Sequence, residues 1–215
     1  ALDRYDTQGL PIEILHAESV IGFDEEPVKA VRHKKDSSIV VGLQAVKENP
    51  EDVFISAGST GALLVGAQFI LGRIRGIKRP GLGVSIPQGE HSLFAIDVGA
   101  TSDAKAEYLL QYGQLGAVYC EAVMGIPNPS VGLLNIGSEE EKGSMVVKDA
   151  HQMLKASGLN FYGNIEAKDI PTARADVLVC DGFTGNIVLK LTEGLMSFIM
   201  SELKKSMMSS FKGKI

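Results

Sequence analysis

The chain has 215 residues, of which 45% are hydrophobic and 22% charged, so it can bury a core as one large domain or two small ones. A net charge of -5 and a pI near 5.4 disfavour nucleic-acid binding, which usually needs a basic surface. The chain opens without a charged-then-apolar signal sequence. No apolar run approaches the roughly 18 residues of a membrane span, so we expect neither secretion nor membrane spanning.

Apolar runs predict buried strands, and apolar spacing of three and four predicts helices between most of them. We expect strands at 12–15, 53–56, 93–97, 131–136, 160–165 and 177–180, and helices at 60–73, 105–124, 144–157 and 185–211. This alternation is typical of an α/β protein with a doubly wound, mostly parallel sheet. We treat residues 1–215 as a single α/β domain from which residues 187–215 project as a long helix.

Three further segments are read from composition. Residues 1–9 resemble the end of a helix already under way, so we expect a fragment of a longer chain. Residues 73–83 are basic and rich in Gly and Pro, which predicts an exposed connection. Residues 85–92 are predicted to form a mobile loop.

Four glycine-rich turns are the most informative local pattern. They lie at residues 56–61, 97–103, 135–143 and 181–186. Glycine lets the backbone approach a ligand closely, and free N–H groups at a helix start favour an anion. In parallel sheets, ligands bind beyond the carboxyl ends of the strands, so we expect all four turns to converge on one site.

Familiar cofactor and nucleophile motifs do not occur. The chain contains no Walker motif, no Gly-x-Gly-x-x-Gly between a strand and a helix, and no Gly-x-Ser-x-Gly elbow. Its four histidines lack zinc spacing, and Cys120 and Cys180 lie in apolar stretches typical of buried thiols in a reducing cytoplasm. We therefore expect no metal and no cofactor, and chemistry based on placement and charge stabilisation.

Three residues in these turns have both a chemical and a structural interpretation. Lys142 can meet an anion at the mouth of a helix, or belong to a solvated charge run with the preceding glutamates. Asn186 can donate to an oxyanion, or cap the last helix. Asp181 can receive a proton, or tie its turn together through backbone amides.

Two segments near the start of the chain are equally open. The turn at 56–61 can cradle an anion, or can simply let a helix and a strand pack closely. Residues 34–38 offer two lysines and two serines, or form an exposed polar break between two helices.

The last helix carries an apolar residue at every fourth position. These residues are Leu191, Leu195, Ile199, Leu203, Met207 and Phe211. Such a stripe suits a partner or a core, and we favour a partner. Its end combines Met207, Met208 and Phe211 with lysines, a pattern that can touch anionic lipid or can close a helix pair in an oligomer.

In combination, these motifs resemble the bacterial phosphate acyltransferases of phospholipid synthesis, the PlsX family. The resemblance covers nearly the whole chain, in the family's order: RHKKDSS (32–38), SAGSTGA (56–62), GRIRGIKRP (72–80), DVGA (97–100), VGLLNIG (131–137), EKG (141–143) and DGFTGN (181–186). Ser59 stands where the family commonly has Asn, and residues 101–106 depart from its usual Asn-x-Asp-x-Lys-Pro. The family's opening Asp-Ala-Met-Gly-Gly-Asp segment does not occur in this sequence.

The resemblance implies a Rossmann-like fold of the phosphotransacetylase and isocitrate dehydrogenase type. It also implies transfer of a fatty acyl group from acyl carrier protein to inorganic phosphate. Lys142 and Asn186 are the expected catalytic residues. Lys142 would neutralise phosphate or the developing oxyanion, and Asn186 would donate to the thioester carbonyl. The expected substrate-binding residues are Lys34, Lys35, Ser37, Ser38, Gly58, Ser59, Thr60, Gly61, Asp97, Gly99, Asp181, Gly182, Thr184 and Gly185.

The resemblance further implies a cytoplasmic homodimer whose long helices pack together and touch the inner face of the membrane through Met207, Met208 and Phe211. The basic residues 73–79 would steer the acidic carrier protein. Two alternatives stay open: a short-chain, phosphotransacetylase-like enzyme, and a non-catalytic scaffold that binds carrier protein or lipid.

Overall fold

The computed structural model describes residues 9–209. Residues 1–8 of the helix end predicted at 1–9, together with Phe211 and the last lysines, Lys212 and Lys214, lie outside these residues. The chain divides into two compact units, Ala1–Ile74 and Arg75–Ile215. This boundary falls within the connection predicted at 73–83, which is largely exposed. A single domain over 1–215 stays a prediction.

Three helices build the described part of the first unit: α1 (Pro27–His33), α2 (Ser38–Glu48) and α3 (Thr60–Ile70). Each start suits its sequence. The Glu26 carboxylate accepts hydrogen bonds from the first turn of α1, and the Ser59 hydroxyl accepts one from Ala62 N in α3. Their apolar faces enclose a small core of Ile21, Ala30, Val31, Ile39, Val40, Leu43 and Ala62.

The strands predicted at 12–15 and 53–56 are wrong. Both segments lie outside regular structure, and within residues 9–74 the only β-bridge joins Ser19 to Ser37. A strand requires a hydrogen-bonded neighbour, which an apolar run alone does not supply. The side chains of Val53 and Ile55 are consequently 83% and 90% exposed.

The second unit contains a five-stranded sheet in the order β1-β2-β5-β3-β4. The strands are β1 (Gly83–Gln88), β2 (His91–Ile96), β3 (Val131–Asn135), β4 (Phe161–Glu166) and β5 (Val177–Val179). All neighbours pair in parallel except β1 and β2. The last four strands match predicted apolar runs. The signal is clearest in β3 and β5, because strands buried on both faces are nearly continuous in hydrophobic residues.

The mobile loop predicted at 85–92 is wrong, because these residues form most of the β1–β2 hairpin. Val84 pairs with Ala95 and Ile86 with Leu93, and Gly89 turns the chain at φ +67°. Polar residues and Pro87 hide the strand pattern in β1. Proline is tolerated in β1 because this strand lies at the edge of the sheet.

Both faces of the sheet are covered. On one face, α4 (Ala106–Ala122) and α5 (Met145–Lys155) pack around Tyr112 and Leu133. On the other face, Leu93 and Leu178 pack with the 3-10 helix Ala167–Thr172 and with Val188 and Leu189 of α6 (Gly182–Ser209). The doubly wound, mostly parallel α/β fold is therefore confirmed. Within residues 9–209, no helix combines the length and the hydropathy needed to cross a membrane.

Candidate active site

Three of the four glycine-rich turns meet at one edge of the sheet. Strands β2, β3 and β5 are parallel, so the turns at 97–103, 135–143 and 181–186 all leave from the carboxyl edge. This is the edge at which ligands bind in such folds. The fourth turn, at 56–61, lies before α3 in the first unit, and its part in the same site stays a prediction.

The turn after β2 is organised by a buried carboxylate. Asp97 is 0% exposed, and its two oxygens accept hydrogen bonds from four backbone N–H groups at 2.7–3.0 Å. The donors are Leu82, Gly99, Ala100 and Thr101. With both oxygens engaged in this way, the observed role of Asp97 is to fix the turn, and a direct substrate contact stays a prediction.

Two glycines let the start of α6 pack directly on that turn. A Cβ atom on Gly182 would lie 2.7 Å from Thr101 N, and one on Gly185 would lie 2.0 Å from the Asp97 carbonyl oxygen. Both distances are far below van der Waals contact. Gly182 and Gly185 are therefore required for this close approach, which is a structural role whether or not they also face substrate.

Asp181 caps α6. Its carboxylate accepts from Thr184 N at 2.9 Å and from the Thr184 hydroxyl at 2.6 Å. This explains why α6 begins at Gly182, three residues earlier than predicted, and it satisfies the structural interpretation of Asp181. Asn186 is not the cap, because it lies inside the helix.

Asn186 is exposed and lies beside the Gly99 turn. Its Oδ1 atom is 3.8 Å from the position that a Cβ atom on Gly99 would occupy. Gly99 has a φ of +150°, a conformation that side chains other than glycine rarely adopt. The structure thus brings together two predicted site residues: Asn186, which has an amide donor, and Gly99, which has an exposed backbone.

Lys142 is exposed, and its backbone is held by hydrogen bonds on both sides. Lys142 N donates to the Glu139 carbonyl at 3.2 Å, and the Lys142 carbonyl accepts from Asn135 Nδ2 at 3.0 Å. Asn135, the last residue of β3, also accepts from Ile136 N at 2.8 Å through its Oδ1 atom. A single amide side chain therefore fixes both ends of the loop at residues 136–142.

A cavity of about 550 Å³ opens at this edge. Its apolar walls include Leu109, Leu133, Leu134, Val147 and Val188, and its polar lining includes Asn135, Ser144, Lys168, Asp181 and Thr184. Lys142 and Asn186 are not among the lining residues, although Gly143, which follows Lys142, and Thr184, two residues before Asn186, are. Asp181 and Thr184 are the predicted site residues that border the cavity directly.

A thiol also lines this cavity. Cys180 is buried, and its Sγ donates to the Asp97 carbonyl at 3.1 Å. Burial raises the pKa of this thiol far above its usual range, and the nearby Asp181 and Asp97 carboxylates raise it further. Burial also raises the pKa of Cys120 to about 11. Both cysteines are free and buried, as predicted, and neither supplies a thiolate nucleophile at neutral pH.

The remaining predicted residues lie in the first unit. Lys34 pairs with Glu25 at 2.6 Å, and this pair lowers the pKa of the Glu25 carboxyl; Lys35 is exposed. Ser37 is fully buried, and its hydroxyl has no hydrogen-bond partner. Ser38 opens α2 and Thr60 opens α3.

Gly58 and Gly61 of that unit have structural roles. A Cβ atom on Gly61 would lie 3.0 Å from Pro27 Cγ, and Gly58 N donates to Ser56 Oγ at 3.1 Å. Close packing of α3 on α1 is thus observed. Substrate binding by Gly58, Ser59, Thr60 and Gly61, like that by Lys34, Lys35, Ser37 and Ser38, stays a prediction.

Sequence reasoning missed the polar residues that support the Lys142 loop. Asn135 lies in the strand predicted at 131–136 and opens the turn predicted at 135–143, which is the one signal that could have pointed to it. Asn164 donates to the Glu139 carbonyl at 2.8 Å from β4, and no local pattern relates two residues 25 positions apart.

Comparison with known proteins finds relatives that match nearly the whole chain. A family model described as "Fatty acid synthesis protein" matches residues 2–215. A phosphate acyltransferase of Clostridium botulinum strain Loch Maree is 52% identical over 214 residues, which cover 100% of this chain and 64% of that protein. A phosphate acyltransferase of Clostridium tetani is 51% identical over 204 residues, covering 95% of this chain and 61% of that protein.

Solved structures of phosphotransacetylases have a similar fold. EutD phosphotransacetylase from Staphylococcus aureus matches with a TM-score of 0.58 at 19% identity, over 75% of this chain and 56% of the other. At that identity the likeness concerns architecture alone. The chain spans less than two thirds of the length of the curated relatives described above. By its sequence match over nearly its full length, the chain belongs to the fatty acid synthesis protein family, that of the PlsX phosphate acyltransferases.

Proposed function

We propose that the protein containing this chain transfers a fatty acyl group from acyl carrier protein to inorganic phosphate, which yields acyl phosphate for phospholipid synthesis. Relatives about half identical to this chain are named phosphate acyltransferases. The observation that carries the proposal is the cavity at the carboxyl edge, with apolar walls and a polar rim.

The size and lining of this cavity favour a long acyl donor. At about 550 Å³ it falls within the range of pockets that enclose drug-sized ligands, roughly 300–1,000 Å³. An acetyl group would leave most of the apolar wall from Leu133, Val147 and Val188 uncovered. A fatty acyl chain would bury this surface, at about 0.8 kcal/mol for each buried methylene.

The chemistry requires charge stabilisation and no covalent enzyme intermediate. A phosphate oxygen attacks the thioester carbonyl, the new C–O bond forms, and the C–S bond breaks to release the carrier thiolate, which takes up a proton. Lys142 would offset the negative charge of phosphate or of the oxyanion. Asn186 would donate its amide hydrogen to the carbonyl oxygen beside the open backbone of Gly99.

The decisive assay separates this function from its two alternatives. Full-length protein is incubated with phosphate and either long-chain acyl carrier protein or acetyl coenzyme A, and acyl phosphate is trapped with hydroxylamine. We expect product from the carrier-bound donor. Product from acetyl coenzyme A alone would favour the short-chain enzyme, and no product from either donor would favour the non-catalytic scaffold.

Substitution of Lys142 by Ala tests the proposed mechanism. We expect kcat/KM for phosphate to fall about 100–1,000-fold, the usual cost of losing one group that stabilises an oxyanion. Lys190→Ala is the matched control, because Lys190 is an exposed lysine on α6 that pairs with Glu193. Equal activity of the Lys142→Ala and control variants would remove Lys142 from the mechanism.

The basic residues 73–79 are proposed to steer the acidic carrier protein. Arg75 and Arg79 are exposed, whereas Lys78 is paired with Glu107. Steering acts mainly on association and weakens with salt. Replacing Arg75 and Arg79 by Ser should raise KM for the acylated carrier at low salt and leave KM for phosphate unchanged.

The exposed stripe of α6 is proposed as the homodimer contact. Leu191, Leu195, Ile199 and Leu203 are each about half exposed, although they share one face of the helix. Replacing Leu195 by Glu should convert a dimer to a monomer in light scattering. Ser201→Glu adds the same charge to the same helix and serves as the control. Dimers in both variants would exclude this stripe.

The tip of α6 is proposed to place the cytoplasmic protein at the inner face of the membrane. Met207 and Met208 are 64% and 53% exposed, and Lys204 and Lys205 lie beside them. Glu at both Met positions should abolish flotation with anionic vesicles, while Ser201→Glu should float as the wild type does. Undiminished flotation would exclude these two residues as the contact.

A further inference from the structure

A buried polar pair lies beneath the loop that carries Lys142. His151 of α5 is 4% exposed and Asn164 of β4 is 8% exposed. His151 Nδ1 lies 2.9 Å from Asn164 Oδ1, and Asn164 Nδ2 donates to the Glu139 carbonyl at 2.8 Å. The ring of Phe161 packs edge-on against the imidazole, with the two ring centroids 4.9 Å apart.

The direction of these hydrogen bonds follows from the atoms involved. A backbone carbonyl can only accept, so the nitrogen of the Asn164 amide must face Glu139. Its oxygen then faces His151, which must therefore carry a proton on Nδ1. The hydrogen bonds therefore run from the imidazole to the amide oxygen and from the amide nitrogen to the loop. Both polar atoms of the Asn164 amide are engaged.

The end of this chain coincides with the turn that sets Lys142. The Glu139 carbonyl accepts from Asn164 Nδ2 and also from Lys142 N. The next residue, Glu140, pairs with Lys155 of α5 at 2.6 Å, and its Oε1 atom lies 3.7 Å from His151 Nε2. The Lys155 ammonium lowers the pKa of the Glu140 carboxyl, so this anchor stays charged at neutral pH.

We propose that His151 and Asn164 are positioning residues for Lys142. This inference rests on the proposed function, in which Lys142 meets the reacting anion. Asn135 fixes the carbonyl side of Lys142, while the His151 and Asn164 pair fixes its amide side through Glu139. Misplacement of a reacting group by about 1 Å can cost roughly 100-fold in rate, so a buried pair of this kind can control catalysis without touching substrate.

Substitution of Asn164 by Asp removes the loop anchor and keeps the contact with His151. The carboxylate keeps an acceptor for His151 but has no N–H for the Glu139 carbonyl. We expect kcat/KM for phosphate to fall roughly 10–100-fold while KM for the acylated carrier stays within about twofold. Asn164→Leu, which removes both contacts, should lose at least as much.

Two variants of His151 test the same hydrogen bond from its other side, and they remain informative if Asn164→Asp fails to fold. His151→Asn can place an amide N–H near the Nδ1 position and should retain at least a third of wild-type activity. His151→Leu has a similar volume without a donor and should lose about as much activity as Asn164→Asp. Equal activity of the Asn and Leu variants would overturn the proposal.

Hydrogen exchange of the amides at 139–143 gives a readout that does not depend on activity. We expect exchange in this loop to rise at least tenfold in Asn164→Asp and His151→Leu, with the turn at 97–101 unchanged. Ser130→Ala is the control, because it breaks a part-buried hydrogen bond to the Asp176 carboxylate, at 2.7 Å, near the starts of β3 and β5.

The outcomes separate the two proposals. If the wild type forms no acyl phosphate, the proposed function fails, and the exchange experiment still decides whether the pair holds the loop. If the variants are less stable but their loop exchange and kcat/KM equal those of Ser130→Ala, His151 and Asn164 serve the core alone and the inference is overturned.

Discussion

The turn at 97–101 and the loop at 136–142 leave the same edge of the sheet but differ in how they use polar atoms. In the turn, the buried Asp97 carboxylate accepts hydrogen bonds from four backbone N–H groups. In the loop, Asn135 and Asn164 hold the backbone, and the Lys142 side chain remains exposed. Polar residues in the turn are therefore expected to determine stability, and Lys142 to determine chemistry.

The largest stability effect is expected for Asp97→Ala. Removing the carboxylate leaves four N–H groups near the core without their acceptor, and each such loss costs about 1–3 kcal/mol. We expect the free energy of unfolding to fall by roughly 4 kcal/mol or more. Urea denaturation followed by circular dichroism measures this value.

Asp97→Asn sharpens the same test. Asn keeps the oxygen that accepts from Leu82, Gly99 and Ala100 and replaces only the one that faces Thr101 N. Its cost should be about 1.5–3 kcal/mol, the value of one hydrogen bond to a charged group. An Asp97→Ala variant with native stability but a raised KM for phosphate would make Asp97 a substrate ligand instead.

A smaller loss is expected for Gly185→Ala. The added methyl group would lie 2.0 Å from the Asp97 carbonyl oxygen and 2.8 Å from Cys180 Sγ, so α6 must shift away from the turn. Overpacking of this kind typically costs about 1–3 kcal/mol. Gly194→Ala is the control on the same helix, because nothing lies within 4 Å of its Cβ position, and it should be neutral or stabilising.

The cap of α6 is expected to contribute less again. Asp181→Ala removes the acceptor for Thr184 N and for the Thr184 hydroxyl, and loss of an N-cap costs about 0.5–2 kcal/mol. Asp181→Ser retains one capping oxygen and should recover most of this stability. If both variants lose activity with native stability, Asp181 would instead act on substrate.

The sequence predicted which turns lie at the carboxyl edge of the sheet better than it predicted the hydrogen bonds that hold them. Strands β2, β3 and β5 were found because each is a buried apolar run, and the glycine turns followed from their ends. The same logic failed at 12–15 and 53–56, because apolar composition does not supply a pairing partner. Interactions between Asp97 and Leu82, or Asn164 and Glu139, join residues 15 and 25 positions apart and have no local signature.

The smallest stability effect is expected for Lys142→Ala, the variant with the largest expected loss of activity. The contacts of Lys142 with Glu139 and Asn135 use its backbone, which truncation of the side chain leaves in place. We expect a change in the free energy of unfolding within about 0.5 kcal/mol, as for other exposed positions. A loss above about 1.5 kcal/mol would mean that the side chain supports the loop, and the contrast between the loop and the turn at 97–101 would disappear.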